Sequence, residues 1–469
     1  MPPYWYSRLI FERGLALIYL VAFLVAVNQF VPLLGEGGLL PAAQFIAEVP
    51  FSSSPSLFYL RATDAVFRAA GWTGVLFALV ALTGLVQRRS GIGAGLVWGL
   101  LWVLYLSFVN VGQTFYAFGW ESLLLEVGFF TIFSGASNTP PQAALTWIYR
   151  WTLFRLMFGA GLIKIRGDQC WRDFTCLDYY YETQPMPNPL SWHFHWLPRP
   201  VLHGGVVFNH FAELIVPFGY FLPQPFAGIA GLFTIAFQSA LIVSGNLSWL
   251  NYLTIVLAFT TLDNRFLSWL PVRRPVLHPE PHSQRLATYA LAVLVAILSI
   301  PPVLNMLSPG QVMNSSFNPL QIVNTYGAFG SITKERFEIV IEGTADAALT
   351  DSTVWREYEF KGKPGDPSYR PPIVAPYHLR LDWLMWFAAM GRAQDEPWFP
   401  ELMAHLLRGD QNVEGLLRVN PFPGRPPEWI RASLYRYRFT TPAEHEATGR
   451  WWSRERVADY FPAVHLKGR

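Results

Sequence analysis

Residues 15–31 read LALIYLVAFLVAVNQFV, with no charged side chain in the run. A helix needs about 20 mostly apolar residues to cross a bilayer, because each residue advances it by only about 1.5 Å. Arg8 and Arg13 stand ahead of this run, and no small-residue cleavage site follows it. It therefore reads as a retained signal anchor and not as a cleaved leader. The same ruler marks further runs at 72–86, 92–109, 122–133, 146–163, 206–222, 226–244, 247–262 and 287–304. The expected fold is that of a mostly α membrane protein, a polytopic helical bundle of roughly nine spans followed by a small α+β domain. The run 122–133 is the shortest and contains Glu126, with Glu121 beside it. A tilted or re-entrant course there would change the count by one.

Composition points the same way. Hydrophobic residues make up 52% of the chain and charged residues 14%, where a soluble domain carries roughly 25% charged. Aromatics reach 16%, with 19 Trp, as suits a protein with many membrane–water boundaries. A net charge of +3 without long basic blocks excludes nucleic acid as a partner.

Lys and Arg collect in short cytoplasmic loops. With the N-terminus inside, Arg8 and Arg13, then Arg88 and Arg89, then Arg265, Arg273, Arg274 and Arg285 all fall on the cytoplasmic side. That solution puts the loop 164–204 and the tail outside the cytoplasm. Lys164, Arg166, Arg172 and Arg199 in the outer loop run against the rule.

From Ser308 on, polar and apolar residues alternate. Phe337, Ile339 and Ile341 face one way, and Glu338 and Glu342 the other, as in a half-buried strand. Residues 354–360 and 434–439 also read as strands, 381–390 and 401–408 as helices, and the Pro- and Gly-rich 361–376 as a loop. The expected division is a transmembrane domain over 1–307 and a lumenal or periplasmic α+β domain over 308–469.

The most unusual stretch is GLIKIRGDQCWRDFTCLDYYYETQPMPNP, residues 161–189. Lys164 and Arg166 sit where a helix meets the interface, either snorkelling or forming an anion or carbonyl site. With Asp168, Arg172, Asp173, Asp178 and Glu182 they read as an ion-pair network beneath a Cys170–Cys176 loop. The two cysteines fit neither a zinc spacing nor a redox C-x-x-C. In an oxidising compartment they would close one small disulfide loop. Alternating prolines exclude a helix over 184–189 and predict a stiff extended segment on the membrane face. His193 and His195, even with His203 and His210, match no metal spacing, so neither metal nor cofactor is expected.

Ionisable residues within apparent spans are Glu121, Glu126, Arg150, Arg155, His210 and Glu213. Charge at membrane depth costs about 2.5–3.5 kcal/mol on insertion scales, so such groups pair or line a polar cavity. Arg150 and Arg155 are expected to neutralise Glu121 and Glu126 across helices. His210 and Glu213 share a helix face with Asn209 nearby. Lys164, Arg166, His210 and Glu213 form the candidate polar cluster near the outer interface. No G-x-S-x-G, G-x-G-x-x-G or Walker pattern occurs. Asn246-Leu-Ser248 and Asn314-Ser-Ser316 have the form of glycosylation acceptors, the first in a turn too close to the bilayer to serve.

Residues 161–189, NHFAELIVPF (209–218), FQSALIVSGNLSWLNYLT (237–254) and SSFNPLQIVNTYGAFGSITKERFEIVIEGT (315–344) carry a family resemblance. Through them the chain resembles the lipase maturation factors, over about residues 9–462. The resemblance implies a multi-pass protein of the endoplasmic reticulum membrane that assists folding of secreted homodimeric lipases such as lipoprotein lipase. It implies a large lumenal domain facing the client, and it supports pairing of Cys170 with Cys176. The expected function is that of a chaperone-like folding or maturation factor for exported proteins, with a client lipase and membrane lipid as partners. In a bacterial chain the inner membrane and periplasm would replace the endoplasmic reticulum. The alternative is a membrane-embedded enzyme acting on a lipid or a peptide side chain through Lys164, His210 and Glu213.

Overall fold

The computed structural model describes residues 4–466. Its first part is a bundle of α1 (Trp5–Leu34), α2 (Asp64–Thr83), α3 (Gly91–Val111), α4 (Gly119–Thr131), α5 (Ala143–Arg166), α6 (Arg199–Gly219), α7 (Phe226–Ser244), α8 (Leu250–Thr261) and α9 (His282–Leu307). Every expected run overlaps one of these helices and extends past its ends by at most three residues. Six of them (α1, α2, α3, α6, α7 and α9) are long and apolar enough to cross a membrane. The other three differ from expectation for separate reasons. With 13 residues, α4 extends only about 20 Å, short of the ~30 Å hydrocarbon core. α8 is shorter still. α5 has 24 residues but carries Arg150, Arg155 and Lys164.

α1 is the axis of the bundle, packed between α2, α3 and α8. Small residues let α2 approach it closely. A side chain at Gly71 would meet Val27 at 2.8 Å, and one at Gly74 would enter the Phe23 ring. Such small-residue contacts are how apolar helices pack when no hydrophobic effect draws them together. α9 lies at the periphery. Leu286, Tyr289, Val293, Ile297, Ile300 and Leu304 form a helical stripe along it and all are exposed. An apolar face of that length has no aqueous neighbour that suits it and is what a lipid-facing helix presents.

The two ends of the bundle differ. At the N-terminal end of α1, Arg8 donates to the carbonyls of Ser137 (2.7 Å) and Thr139 (2.9 Å), and Arg13 to that of Ala81 (2.7 Å). The His278 amide donates to the Asn138 carbonyl in the same region. The basic loops thus gather at this end. At the other end Gln29 holds the tail, donating to the His378 carbonyl at 2.6 Å and accepting from the Arg380 amide at 2.9 Å.

The tail contains one antiparallel sheet in the order β2-β1-β3-β4, from β1 (Arg336–Thr344), β2 (Arg356–Glu357), β3 (Trp429–Phe439) and β4 (Trp452–Val464). The helices α10 (Arg380–Ala388) and α11 (Trp398–Arg408) accompany it. Ile339 pairs with Leu434 and Ile341 with Ala432 across β1 and β3. The expected half-buried β1 is in fact covered on both faces. Glu338 is fully buried, 2.6 Å from Arg336 and 2.9 Å from Lys363. The strand expected over 354–360 shrinks to two residues, and β4 escapes sequence reading because Glu455 to Asp459 are exposed and mixed in character. Residues 322–326 are buried in the bundle and not in the sheet.

Gly74→Leu is expected to push α1 from α2, at a cost of about 1–3 kcal/mol, seen as a lower unfolding midpoint of the purified protein. Gly37→Ala, which meets open space, should leave that midpoint unchanged.

Candidate functional site, a cavity where bundle and tail meet

Lys164 lies in the last turn of α5, just ahead of the break at Gly167. Opposite it, α6 widens into a π-helical turn over Phe211–Ile215. Such turns interrupt the regular helical register and recur at functional sites. This one aims Asn209 and Glu213 at Lys164. Lys164 Nζ donates to Glu213 Oε1 at 2.6 Å and to Asn209 Oδ1 at 3.0 Å, and Asn209 Nδ2 donates to Glu213 Oε2 at 3.0 Å. The ammonium also lies 5.0 Å from the Trp171 ring centre. All three polar side chains are buried. A desolvated pair of this kind is stable only because hydrogen bonds occupy the remaining donors and acceptors.

The cluster forms one wall of a cavity of about 470 Å³, well within the ≈300–1,000 Å³ of small-molecule sites. Leu156 and Met157 of α5, Leu250 and Asn251 of α8, and Trp383 and Trp386 of α10 supply other walls. Asn251 donates to Gln238 Oε1 at 2.6 Å, a second polar spot in an apolar lining. Among the described residues, Lys164 and Glu213 are the only charged side chains that line it. Gln238, Asn251 and the two tryptophans escaped sequence analysis as site residues. The polar breaks in the apolar runs 226–244 and 247–262 were the available signal.

The other members of the expected cluster turn elsewhere. Arg166 donates to Gln311 at 2.8 Å, and His210 Nε2 lies 2.9 Å from the Trp171 carbonyl. Cys170 and Cys176 are joined in a disulfide. Asp168 caps the turn that follows, accepting from the Cys170 amide at 3.0 Å. The disulfide loop packs through Trp171 against Leu202 and Val206 in the first half of α6. The expected ion-pair network does not form. Among the described residues no Lys or Arg of 164–182 pairs with an acid of that segment, and Arg172 instead donates to Gln169 and to the Ile165 carbonyl. Asp178 lies 3.4 Å from the His203 ring, and Glu182 lies 3.9 Å from the His195 ring and accepts from the Phe439 amide at 2.6 Å.

Residues 184–189 are non-helical but follow bends and a turn instead of one extended run, and 184–188 are buried between bundle and tail. Their carbonyls are exposed by the missing helix, and the buried Arg336 takes them up, donating to Gln184 O at 2.5 Å and Pro185 O at 3.0 Å. Asn246 is likewise a buried peg, bonded to Pro187, Pro372, Val374 and Ala375. His193 and His195 fall on a short helix, Ser191–His195, whose Trp192 donates to the Thr440 carbonyl at 2.8 Å.

The membrane-depth charges find different partners. Arg155 pairs with Glu126, which also accepts from Thr152 (2.8 Å), Tyr326 (2.7 Å) and the Asn324 amide (3.0 Å). Glu121 pairs with Arg380 of the tail at 2.8 Å and not with Arg150. Arg150 donates instead to the carbonyls of Tyr220 (3.2 Å) and Thr260 (3.3 Å), where two helices end.

Lys164→Met should cost about 3–5 kcal/mol by stranding Glu213. Lys164→Met with Glu213→Leu should recover most of that loss, read from unfolding midpoints. Burial pushes the His195 imidazole down from 6.5 to about 4, against a weaker pull from Asp178. The folded protein then keeps His195 neutral where the unfolded chain is charged. Its contribution is present above the ordinary His range and is lost as pH falls through it towards 4. The unfolding midpoint should drop more between pH 7 and 4.5 in the native protein than in His195→Gln.

Comparison with known proteins finds two family matches, the lipase maturation factor transmembrane domain over residues 6–269 and the lipase maturation factor C-terminal domain over 322–462. The chain is 44% identical to lipase maturation factor 1 of Mus musculus, over 99% of this chain and 88% of that protein. It is 45% identical to the Bos taurus protein of the same name, over 98% and 89%. Lipase maturation factor 2 of Xenopus laevis is 29% identical over 98% of this chain and 82% of its own length. No solved structure matches. This chain belongs to the lipase maturation factor family.

Proposed function

We propose that the protein is a membrane-anchored folding factor for exported proteins, lipases in particular, acting by non-covalent holding. The observation that carries this reading is 44–45% identity to maturation factors over nearly the whole chain. The enzyme alternative is not favoured, since the relatives are named for maturation and His210 turns away from the Lys164–Glu213 pair towards Trp171.

We further propose nine crossings, with the N-terminus in the cytoplasm and the tail, residues 308–469, in the endoplasmic reticulum lumen or the periplasm. The basic loops and the tail occupy opposite ends of α1, which supports this orientation. Opposite sides for the two ends of the chain require an odd number of crossings. Adding α4, α5 and α8 to the six long helices meets that requirement. The disulfide then lies on the oxidising side.

In cells lacking their own maturation factor, the full chain should restore secretion of active lipase, measured as activity in the medium. Unchanged secretion with the protein expressed and folded would sink the reading. An impermeant maleimide should label Glu446→Cys from the exported side of the membrane and Arg89→Cys only after permeabilisation. The reverse pattern would overturn the orientation.

A further inference from the structure

We propose that the cavity binds one neutral, single-chain acyl lipid, its hydroxyl or ester carbonyl at the Lys164–Asn209–Glu213 group and its chain among Met157, Leu250 and Trp383. Three observations carry this. The first is charge. Lys164 and Glu213 cancel each other, and no other charged side chain among the described residues lines the cavity. An ionised headgroup would be buried there without a counterion, at high cost. A neutral one can use what the cluster leaves free. Lys164 spends two of its three N–H donors on Glu213 and Asn209. The Glu213 carboxylate can still accept a hydroxyl proton.

The second is shape. About 470 Å³ suits one small ligand and not a two-chain phospholipid. The walls beyond the cluster are mostly apolar and aromatic, with Gln238 and Asn251 already bonded to each other and the remaining polar groups, such as Thr254 and Asn314, uncharged. The third is access. Met313, Phe387 and Met390 line the cavity and are 40%, 42% and 46% exposed. They stand at the tail end of the bundle, where α5 ends. Exposed apolar side chains around an opening fit entry from a lipid leaflet better than entry from water. The flexible methionines suit an acyl chain of variable length. The proposal does not depend on the lipase reading, because a lipid site would remain whatever the client.

The test uses the full-length protein in phosphatidylcholine nanodiscs and a monoacylglycerol with a photoactivatable diazirine in its chain. Crosslinks are expected within 156–164, 247–254 or 383–390. Unlabelled mono-oleoylglycerol should compete at a concentration at least ~10-fold lower than oleate. Ala160→Phe, which fills the cavity, should reduce the crosslink by about tenfold or more. If that variant fails to purify, the map and the competition order of the native protein decide. Crosslinks confined to the outward faces of α7 and α9 would overturn the proposal, as would equal competition by oleate. Displacement by an apolar peptide but not by mono-oleoylglycerol would also overturn it, assigning the cavity to a client chain.

Discussion

The ion pair between Glu121 and Arg380 joins the two halves of this chain at a point from which water is excluded. Both side chains are fully buried and lie 2.8 Å apart. Arg380 also donates to the Phe115 carbonyl at 2.7 Å and stacks over the Tyr116 ring at 3.4 Å. A buried pair adds little net stability, because desolvation offsets the attraction. Its effect is on the alternatives. If the tail left the bundle, a carboxylate held by Tyr105 but without its countercharge would remain among apolar helices. The tail therefore has one seat, and the cavity walls that it supplies through Trp383 and Trp386 are held in place.

The same logic repeats around that seat. Glu126 and Arg155 pair within the bundle, but Asn324 and Tyr326 from the tail complete the carboxylate's bonds. Arg336, at the start of the sheet, takes the carbonyls of the proline-rich segment that no helix could satisfy. Proline and charge, each awkward for a helical bundle, become the points where bundle and tail interlock. The consequence for function is a rigid junction with a preformed cavity beneath it. A site whose walls come from α5, α6, α8 and α10 stays open only if those elements cannot drift apart.

Much of this was legible in the chain itself. The apolar runs, the position of Lys164 at a helix end and the existence of β1 follow from local pattern, because hydropathy and periodicity act over a few residues. Several charges have neighbours that local pattern does not reveal. Glu338 was assigned to solvent, Arg150 to Glu121, and the charged stretch after Lys164 to an ion-pair network of its own. Glu338 is buried against Arg336 and Lys363, and Glu121 pairs with Arg380, whereas Lys164 does meet Glu213, a member of the cluster expected for it.

Sequence alone thus determined which segments are apolar and which charges had to be neutralised. Only the tertiary structure decided by whom. Glu121 and Arg380 are 259 residues apart, and no local pattern can report a contact closed over that distance. The π-helical turn in α6, which brings Glu213 to Lys164, is also invisible in composition. It lies where the buried Lys164–Glu213 pair closes, and that pair is buried only once the helices have packed.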